Sequence, residues 1–424
     1  MHLAEETLLS DEFLRQLINV GEVDILVGLP THNNSKTLQP VLQAIQAGLL
    51  KCFPRERAVI VNADGGSQDG TPQLVTGVSI DDVWSASKVY TLRTLPAIST
   101  QYAHVPDPAI ALRTILAAAD LLRARACVVL SPDSTTIEPD WIQRLVHPIY
   151  TENVDLVSPL YRRPKFEGVL MRNLLYPMTR AVYGSQIREP FASEFAISSR
   201  LATDFLANDS WNEEWGKLGP EISLTSAALT GKYRLFQCFL GDKPPVQRSG
   251  TDLVHAMRRT VGPLFASMDH DFAFWSATSP APPASPNGDA TESSEESARI
   301  NRKQLHDTFA HGVSQLEPVF RSILSSATLS EIQRIATLDL TDFRYPDEAW
   351  ARTVFEFAAS FHKSVINRDH IIQALVPLYR GRALSFMLEN RESSAEEMER
   401  KVESLCLEFE HLKPYLLELW DGRK

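Results

Sequence analysis

The sequence of 424 residues has few cysteines, no long apolar run and no excess of positive charge. Its four cysteines are far apart and form no Cys-x-x-Cys pair, so neither a disulfide framework nor a structural zinc site is expected. No apolar run reaches the roughly 18–20 residues of a membrane span, so we expect no transmembrane segment. The formal net charge of −11 argues against a broad nucleic-acid surface, which needs lysine and arginine to neutralise phosphates.

The N-terminal stretch MHLAEETLLSDEF is acidic. It lacks the basic-then-apolar order of a secretion signal, so the sequence predicts a cytoplasmic protein. The negative net charge still allows a small phosphorylated ligand, because one local basic group can serve such a ligand.

The first half of the chain alternates predicted strands and helices. Short apolar runs that end at turn residues predict the strands, and apolar residues at helical spacing predict the helices between them. The predicted strands are Asp24–Pro30, Ala58–Asp64, Val89–Leu95 and Cys127–Leu130, with a helix capped by Ser35 after the first and a helix over Ala109–Ala126 before the fourth. This alternation predicts an α/β fold with a mostly parallel sheet and right-handed crossovers.

The character of the chain changes near residue 249. Residues 1–248 are predicted to form the α/β domain, and residues 249–424 an α-helical C-terminal domain, where apolar stripes at helical spacing dominate. Within the second domain, Ser276–Ser297 is rich in proline, serine and acidic residues. Such a composition buries too little apolar surface to order itself, so we expect a flexible linker there.

Three of the predicted strands end in loops that carry polar residues. In chain order the loops read GLPTHNNSKTL, DGGSQDGT and SPDS. Ligands bind at the carboxyl ends of the strands in an α/β sheet. Asp64 could accept hydrogen bonds from a nucleobase or a ribose, or belong to an ordinary strand-to-helix turn. Asp133 could hold a metal, hold a substrate or cap the next turn.

These motifs and their order resemble the GT-A fold of nucleotide-sugar glycosyltransferases. From Asp24 onward the chain is similar to the branch of family 2-like bacterial glycosyltransferases that contains glucosyl-3-phosphoglycerate synthase. The resemblance implies transfer of a hexose from a UDP- or GDP-sugar to a small hydroxylated acceptor such as a glycerate derivative, with retention of anomeric configuration. It also implies a helical domain that packs over the acceptor side or mediates a homodimer or pairing with a related glycosyltransferase.

The resemblance implies which residues form the site. The expected catalytic residues are Glu194, beside the sugar and acceptor, and Glu221, in a segment that shapes the acceptor side, while Asp133 is the expected metal ligand. The residues expected to bind substrate are Pro30, His32, Asn34, Asp64, Gly65, Gly66, Arg113, Arg188 and Lys243. Simpler interpretations stay open: Glu194 as a solvent-facing strand residue, Lys243 as a surface lysine near a turn, and His32 as a solvated loop residue.

The sequence departs from the family pattern at three places. The family has Asp-x-Asp at the fourth strand end, where this chain has Ser-Pro-Asp at positions 131–133. Where the family has a Gly-Lys-Gly-like loop, this chain has Asp-Pro-Ala at 107–109, which contains no lysine. Lys243 stands near the position of a family histidine. Each change removes a contact to phosphate or metal.

Two hypotheses follow from these departures. In the first, the chain is an active hexosyltransferase in which Asp133 holds Mg²⁺ or Mn²⁺ weakly through diphosphate oxygens, or in which Lys243 or Arg113 replaces the charge of the cation. In the second, the chain is a catalytically impaired glycosyltransferase-like binding or scaffolding subunit. Pro132 favours the second hypothesis, because it stiffens a loop that normally wraps a cation. The intact DGGSQDGT motif and the retained glutamates favour the first.

Overall fold

The structure, a computed structural model, describes residues 8–79, 83–84, 91–92, 94–103, 105–243, 252–280 and 301–422. The chain forms two compact units. The first consists of Met1–Tyr161 and Phe191–Pro244, and the second of Arg162–Pro190 and Pro245–Lys424. The predicted boundary at residue 248 and residues 281–297 of the predicted linker lie outside the described residues.

The first unit is built on a mixed β-sheet. The described strands are β1 (Ile25–Thr31), β2 (Ala58–Asp64), β3 (Val83–Trp84), β4 (Thr91–Leu92), β5 (Ala97–Gln101), β6 (Ala126–Val129), β7 (Leu156–Arg162), β8 (Phe195–Ser198) and β9 (Leu235–Asp242). Seven of them form one sheet in the order β5-β2-β1-β6-β8-β7-β9, and β3 pairs with β4 separately. Strands β5, β2, β1 and β6 are parallel, and β8 is antiparallel to β6 and β7. The predicted α/β fold with a mostly parallel sheet is therefore confirmed.

Helices cover both faces of this sheet. Those of the first unit are α1 (Asp11–Val20), α2 (Leu38–Cys52), α3 (Thr71–Thr76), α4 (Pro108–Leu121), α5 (Asp140–Glu152), α7 (Ser199–Leu206), α8 (Glu214–Leu218) and α9 (Pro220–Thr230), with a 3₁₀ turn at Asp209–Asn212. Successive strand residues point to opposite faces. In β1, Ile25 packs with residues of α2 and α5, whereas Leu26 packs with residues of α4 and α7. The buried residues therefore form two cores with the sheet between them.

The packing of α4 on the sheet depends on Gly28 in β1. A Cβ at this position would lie 2.3 Å from a methyl carbon of Ile115 in α4. The missing side chain lets the helix approach the strand closely, which is a recurring use of glycine inside a strand.

The predicted strand Val89–Leu95 lies partly outside the described residues, and within it the structure describes Thr91–Leu92 as β4, which pairs with β3. The strand that joins the main sheet before α4 is β5, which the sequence did not predict. β5 lies at the edge of the sheet and most of its residues are not buried, so its sequence AISTQ carries a weak apolar signal. The prediction of Ser35 as the N-cap of α2 is wrong, because the helix begins at Leu38 and its N-cap is Thr37. The backbone N–H of Ser35 donates to Asp69 at 2.9 Å.

The second unit is built from helices, so the predicted helical C-terminal region is confirmed. Its described helices are α6 (Tyr176–Tyr183), which follows a π-helical turn at Met171–Leu175, α10 (Asp252–His270), α11 (Phe272–Trp275), α12 (Arg302–Gln315), α13 (Glu317–Ile323), α14 (Ser326–Ala336), α15 (Asp347–Lys363), α16 (Arg368–Glu389), α17 (Ala395–His411) and α18 (Lys413–Asp421). No helix in the described part of either unit has the length and hydropathy that crossing a bilayer requires.

The segment Arg162–Pro190 belongs to the second unit, although a division at residue 248 assigns it to the first domain. Its buried Asn173 accepts a hydrogen bond from the Trp350 indole at the backbone oxygen (2.6 Å) and one from the Arg382 guanidinium at the side-chain oxygen (2.8 Å). Buried hydrogen bonds are costly to leave unmade, so these contacts tie the segment to α15 and α16.

A buried arginine joins α6 to α17. The Arg180 side chain is 0% exposed and donates to Glu403 at 2.7 and 2.9 Å and to Glu410 at 2.8 Å. Burial alone would lower the pKa of Arg180, but the two carboxylates raise it above its ordinary value. The guanidinium is therefore permanently charged and depends on both glutamates for compensation.

Replacing this arginine should destabilise the protein strongly. Arg180→Leu leaves Glu410 buried without its cation, and removal of one partner from a buried ion pair typically costs about 3–5 kcal/mol. Urea denaturation should show a loss of this size in the free energy of unfolding. The control Arg334→Leu breaks the exposed pair with Glu331 and should change the stability little. Equal losses of unfolding free energy in both variants would contradict a stabilising role of the buried Arg180 ion pairs.

Candidate functional site

The carboxyl ends of β1, β2, β5 and β6 meet at one edge of the sheet. The register pairs Thr31 with Asp64 and Asp64 with Gln101, so the loops after these strands start side by side. β8 runs in the opposite direction, and its first residue, Phe195, pairs with the last residue of β6. Glu194, which precedes β8, therefore lies at the same edge. We refer to it below as the carboxyl edge.

Asp64 organises the loop after β2. It is 1% exposed, and its two oxygens accept four hydrogen bonds, from Thr31 Oγ1 (2.9 Å), Gly66 N (3.0 Å), Ser67 N (2.8 Å) and Ser67 Oγ (2.5 Å). Gly66 has a φ of 86°, which only glycine adopts without strain. The carboxylate thus holds the glycine turn in place, and both of its oxygens face donors of the protein.

Gly65 lies against the loop that precedes α4. A Cβ there would be 3.0 Å from both Pro106 Cα and the Tyr102 hydroxyl oxygen. That hydroxyl accepts a hydrogen bond from the backbone N–H of Asp107 at 3.0 Å. The absence of a side chain at Gly65 therefore lets two neighbouring loops of the carboxyl edge touch.

The loop after β1 is tied to the loop after β2. His32 Nδ1 lies 3.1 Å from the Gly65 carbonyl oxygen, which can only accept, so Nδ1 carries a proton. The Nε2 atom then accepts from the side-chain amide of Asn33 at 3.1 Å, and the backbone N–H of Asn33 donates to Ser67 Oγ at 2.8 Å. His32 is therefore half-buried and held between the two loops, unlike a solvated loop histidine.

Asp133 lies exposed on the loop after β6. Its Oδ1 atom accepts hydrogen bonds from Asn34 Nδ2 (2.9 Å) and Thr37 Oγ1 (2.7 Å). Its backbone N–H donates to Ser131 Oγ at 3.3 Å. The structure thus brings together two predicted site residues, Asp133 and Asn34. The serine that replaces the first aspartate of the family motif caps the turn.

The donors at the carboxyl edge do not fit a resident metal ion. Within the described ranges, no group of three or more histidine, cysteine, aspartate or glutamate side chains is arranged to hold one. Mg²⁺ takes octahedral oxygen coordination, and Asp133 offers a single carboxylate with one oxygen already engaged by two protein donors. A cation beside it would need most of its ligands from water and from a bound diphosphate.

Three chain segments converge on Glu194. Its carboxylate is 1% exposed and accepts hydrogen bonds from the hydroxyls of Ser134, after β6, and Tyr161, near the end of β7 (2.6 Å). Lys243, directly after β9, donates to the same carboxylate at 3.2 Å, and its ammonium lies 4.4 Å from the centroid of the Tyr161 ring. Glu194 is therefore not a solvent-facing strand residue, and Lys243 is its counterion.

The electrostatics of this cluster keep Glu194 ionised. Burial alone would raise the pKa of the carboxyl, but the ammonium of Lys243 and the hydroxyls of Ser134 and Tyr161 together bring it below its ordinary value. The Lys243 side chain is 17% exposed, so the positive member of the pair reaches the surface of the cluster while the negative one stays inside. The pair has no net charge, and its ammonium lies nearer to solvent than its carboxylate does.

The start of α4 is already capped by a carboxylate. Asp107 accepts hydrogen bonds from the backbone N–H groups of Ala109 (2.9 Å) and Ile110 (3.0 Å). Free amides at a helix N-terminus favour phosphate. Here the chain's own side chain satisfies two of these amides and brings a negative charge to a position where the resembled family has a lysine.

The remaining predicted residues lie in different places. Pro30 is half-buried in β1, and the Arg113 guanidinium carbon lies 6.0 Å from the centroid of the Trp211 ring. Glu221 is in the first turn of α9, which packs in the core on the α4 side of the sheet. Arg188 lies in the second unit, where it donates to Glu399 at 2.6 Å.

Sequence reasoning missed Ser134 and Tyr161, which complete the cluster around Glu194, and Thr37, which binds Asp133. Ser134 is adjacent to Asp133 in the motif SPDS, so its position in a strand-end loop was a usable signal. The sequence signal for Tyr161 was weak, because it consisted only of a polar hydroxyl at the end of an apolar strand. No local pattern indicates that it contacts a residue more than thirty positions away.

In mostly parallel α/β sheets ligands bind at the carboxyl ends of the strands, so the carboxyl edge is the candidate site. No family profile matches the chain, and no curated protein does. Among solved structures, the chain is similar to glucosyl-3-phosphoglycerate synthase from Mycobacterium tuberculosis.

The similarity to these solved structures is distant. A complex of the mycobacterial enzyme with Mn²⁺, UDP and glucosyl-3-phosphoglycerate matches 63% of this chain and 86% of its own, at 20% identity and a TM-score of 0.42. A second complex, with Mn²⁺, UDP-glucose and phosphoglyceric acid, matches 63% and 85%, again at 20% identity and a TM-score of 0.42.

The role of Asp64 in the glycine turn leads to a stability prediction. Asp64→Ala leaves one buried and one partly buried backbone N–H group without an acceptor and should lower the free energy of unfolding by roughly 2–6 kcal/mol, at about 1–3 kcal/mol for each unsatisfied group. Asp64→Asn keeps one oxygen for those amides and should cost clearly less. Thermal and urea denaturation of the two variants give the comparison. Wild-type stability in Asp64→Ala would show that the turn does not depend on this carboxylate.

Proposed function

We propose that this chain is a hexosyltransferase that takes its sugar from a UDP- or GDP-sugar and passes it to a small hydroxylated acceptor such as a glycerate derivative, with retention of configuration. The observation that carries the proposal is the convergence of Ser134, Tyr161 and Lys243 on the buried Glu194 at the carboxyl edge. Burying an ion pair is rarely favourable for stability alone, and such groups concentrate at functional sites.

Lys243 is proposed to stabilise the leaving group. Departure of a nucleoside diphosphate builds negative charge, and a fixed positive group beside it lowers the barrier. Lys243 donates one hydrogen bond to Glu194, and its other N–H groups have no hydrogen-bond partner among the residues that the structure describes. Glu194 orients the ammonium through this hydrogen bond. The lysine thereby supplies positive charge that a cation held by the Asp-x-Asp motif supplies in the resembled family.

The two loops joined by Asp64 are proposed to carry the nucleotide. Asp64 acts through the turn that it orders, because both of its oxygens already accept hydrogen bonds. His32 and Asn34, which the loop contacts hold in place, are proposed to face the ligand. Glu221 and Arg188 stay proposed residues of the acceptor side.

A second candidate function is nucleotide binding without catalysis, as a scaffolding subunit. It is favoured by the start of α4, where the Asp107 carboxylate occupies backbone amides that would otherwise attract a phosphate. It is also favoured by Ser131, which stands where the resembled family has an aspartate and so leaves a cation with one carboxylate fewer. Both features weaken the contacts that speed departure of a diphosphate.

Calorimetry and a turnover assay distinguish these candidates. The full chain is titrated with UDP, GDP and their glucose conjugates, with and without Mn²⁺, and each sugar nucleotide is incubated with 3-phosphoglycerate. We expect binding of one nucleotide class and formation of a glycosylated product. Binding without any product would favour the scaffolding function, and absence of nucleotide binding would contradict both candidates.

Variants at the buried pair test the role of Lys243. Lys243→Met should lower turnover by about 10²-fold, the usual effect of losing one group that stabilises developing charge. Glu194→Gln combined with Lys243→Met removes both charges and avoids an uncompensated buried carboxylate. If this double variant regains stability but not turnover, the lysine acts on the substrate. Recovery of turnover would limit Lys243 to a structural role. Lys51→Met serves as the control, because Lys51 forms an exposed pair with Asp140.

Restoring the family motif tests the weakened cation site. Ser131→Asp together with Pro132→Ser adds a second carboxylate beside Asp133 and should strengthen Mn²⁺-dependent nucleotide binding, because two carboxylates fix a cation against a diphosphate better than one does. The purified unmodified protein should contain no stoichiometric metal. Elemental analysis that finds one would contradict this account of Asp133.

A further inference from the structure

A polar cavity lies at the edge of the sheet opposite the carboxyl edge. It has a volume of about 450 Å³, and its walls include Arg125, Asp155, Ser199, Arg200 and Arg234. Asp155, Arg125 and Arg234 directly precede β7, β6 and β9, and Ser199 follows β8. We call this cavity the arginine pocket.

The strand register separates this pocket from the candidate site. Glu194 precedes β8 at the carboxyl edge, and Ser198, at the far end of the same strand, pairs with the first residue of β6. At about 3.3 Å per residue, the four residues of β8 separate the two places by roughly 13 Å. A ligand in the arginine pocket would therefore not contact Glu194 or Lys243.

The arginine pocket is positively charged in a chain of negative net charge. Three guanidinium groups and one carboxylate line it, which gives a formal charge of +2, while the chain as a whole carries −11. The carboxylate, Asp155, is already satisfied, because it accepts hydrogen bonds from Ser198 Oγ, Arg200 and the backbone N–H of Arg234. Its pKa, which burial alone would raise, is lowered by these donors. Asp155 thus holds the Arg200 guanidinium in place, and the charges that line the pocket still sum to an excess of positive charge.

Aromatic rings lie against two of the guanidinium groups. The Arg125 guanidinium lies 4.2 Å from the centroid of the Tyr150 ring, and the Tyr150 hydroxyl donates to the backbone oxygen of Asp24 at 3.0 Å. Within the described residues, the Arg125 guanidinium has no hydrogen-bond or ion-pair partner. Arg200 lies 4.5 Å from the Tyr233 ring centroid. All three arginines of the pocket are exposed, so a ligand can reach their guanidinium groups from solvent.

Other donors face the same space. Ser199 and Asn153 line the cavity beside the arginines, and Asn153 ends α5 in the left-handed conformation with a φ of 52°. Arg234 is held by a hydrogen bond from its guanidinium to the Glu152 backbone oxygen. The cavity volume falls in the range of about 300–1,000 Å³ that small-molecule sites occupy.

We propose that the arginine pocket is a second ligand site, which binds the phosphate group of a small phosphate monoester. A phosphate dianion matches the excess charge of the pocket. Its tetrahedral oxygens can accept from guanidinium forks on several sides, together with a hydroxyl and an amide. Because Arg200 is 61% exposed in its side chain, solvent and salt screen part of the attraction, and binding should weaken as ionic strength rises.

Calorimetry at low ionic strength tests the proposal with three probes: glycerol 3-phosphate, inorganic phosphate and succinate. We expect glycerol 3-phosphate to bind the full chain in the presence of saturating UDP, and Arg125→Gln to weaken this binding at least tenfold. If inorganic phosphate binds and glycerol 3-phosphate does not, the pocket takes the free ion, and the assignment to a phosphate monoester is wrong. Succinate binding as tightly as glycerol 3-phosphate would overturn the assignment to phosphate.

Arg123→Gln is the matched control. Arg123 lies two positions before Arg125, is exposed and pairs with Glu22 at 2.9 Å, outside the pocket. It should keep wild-type affinity for the probe. Equal affinity in Arg125→Gln and Arg123→Gln, or no binding by the wild type, overturns the proposal. Arg234→Gln provides an independent variant if Arg125→Gln unfolds, and unchanged UDP affinity shows that the carboxyl edge is intact.

Discussion

The buried carboxylate of Asp64 is the interaction on which the candidate site depends. It accepts hydrogen bonds from β1 and from the turn after β2, and it therefore fixes the relative position of two loops. The contacts of His32 with Gly65 and of Asn33 with Ser67 require that position. Without the carboxylate, the buried amide of Gly66 and the partly buried amide of Ser67 would lack an acceptor, so the turn depends on Asp64.

The fold also places a buried ion pair near each end of β8, one at the carboxyl edge and one at the opposite side of the sheet. β8 is short and antiparallel to its neighbours, with Glu194 before its first residue and Ser198 at its end. At one edge the ionised Glu194 holds Lys243, and at the other Asp155 holds Arg200. In both places a buried carboxylate orients a cationic side chain that reaches solvent.

Much of the fold could be predicted because local patterns decide it. Buried parallel strands such as β1 and β2 are continuous apolar runs, and the helical region has apolar residues at helical spacing. The edge strand β5 escaped prediction because few of its residues are buried. The membership of Arg162–Pro190 in the second unit also escaped, because Asn173 and Arg180 have their partners about two hundred positions away.

The sequence by itself determined which residues stand at the strand ends, and hence that the carboxyl edge has one aspartate where the resembled family has two and no lysine before α4. Only the tertiary structure decided that Glu194 is buried and ionised, that Lys243 neutralises it, and that Asp64 faces the protein. The physical reason is that charge state and accessibility depend on donors from several distant segments. A local pattern reports the residue type but not the neighbours that surround it after folding.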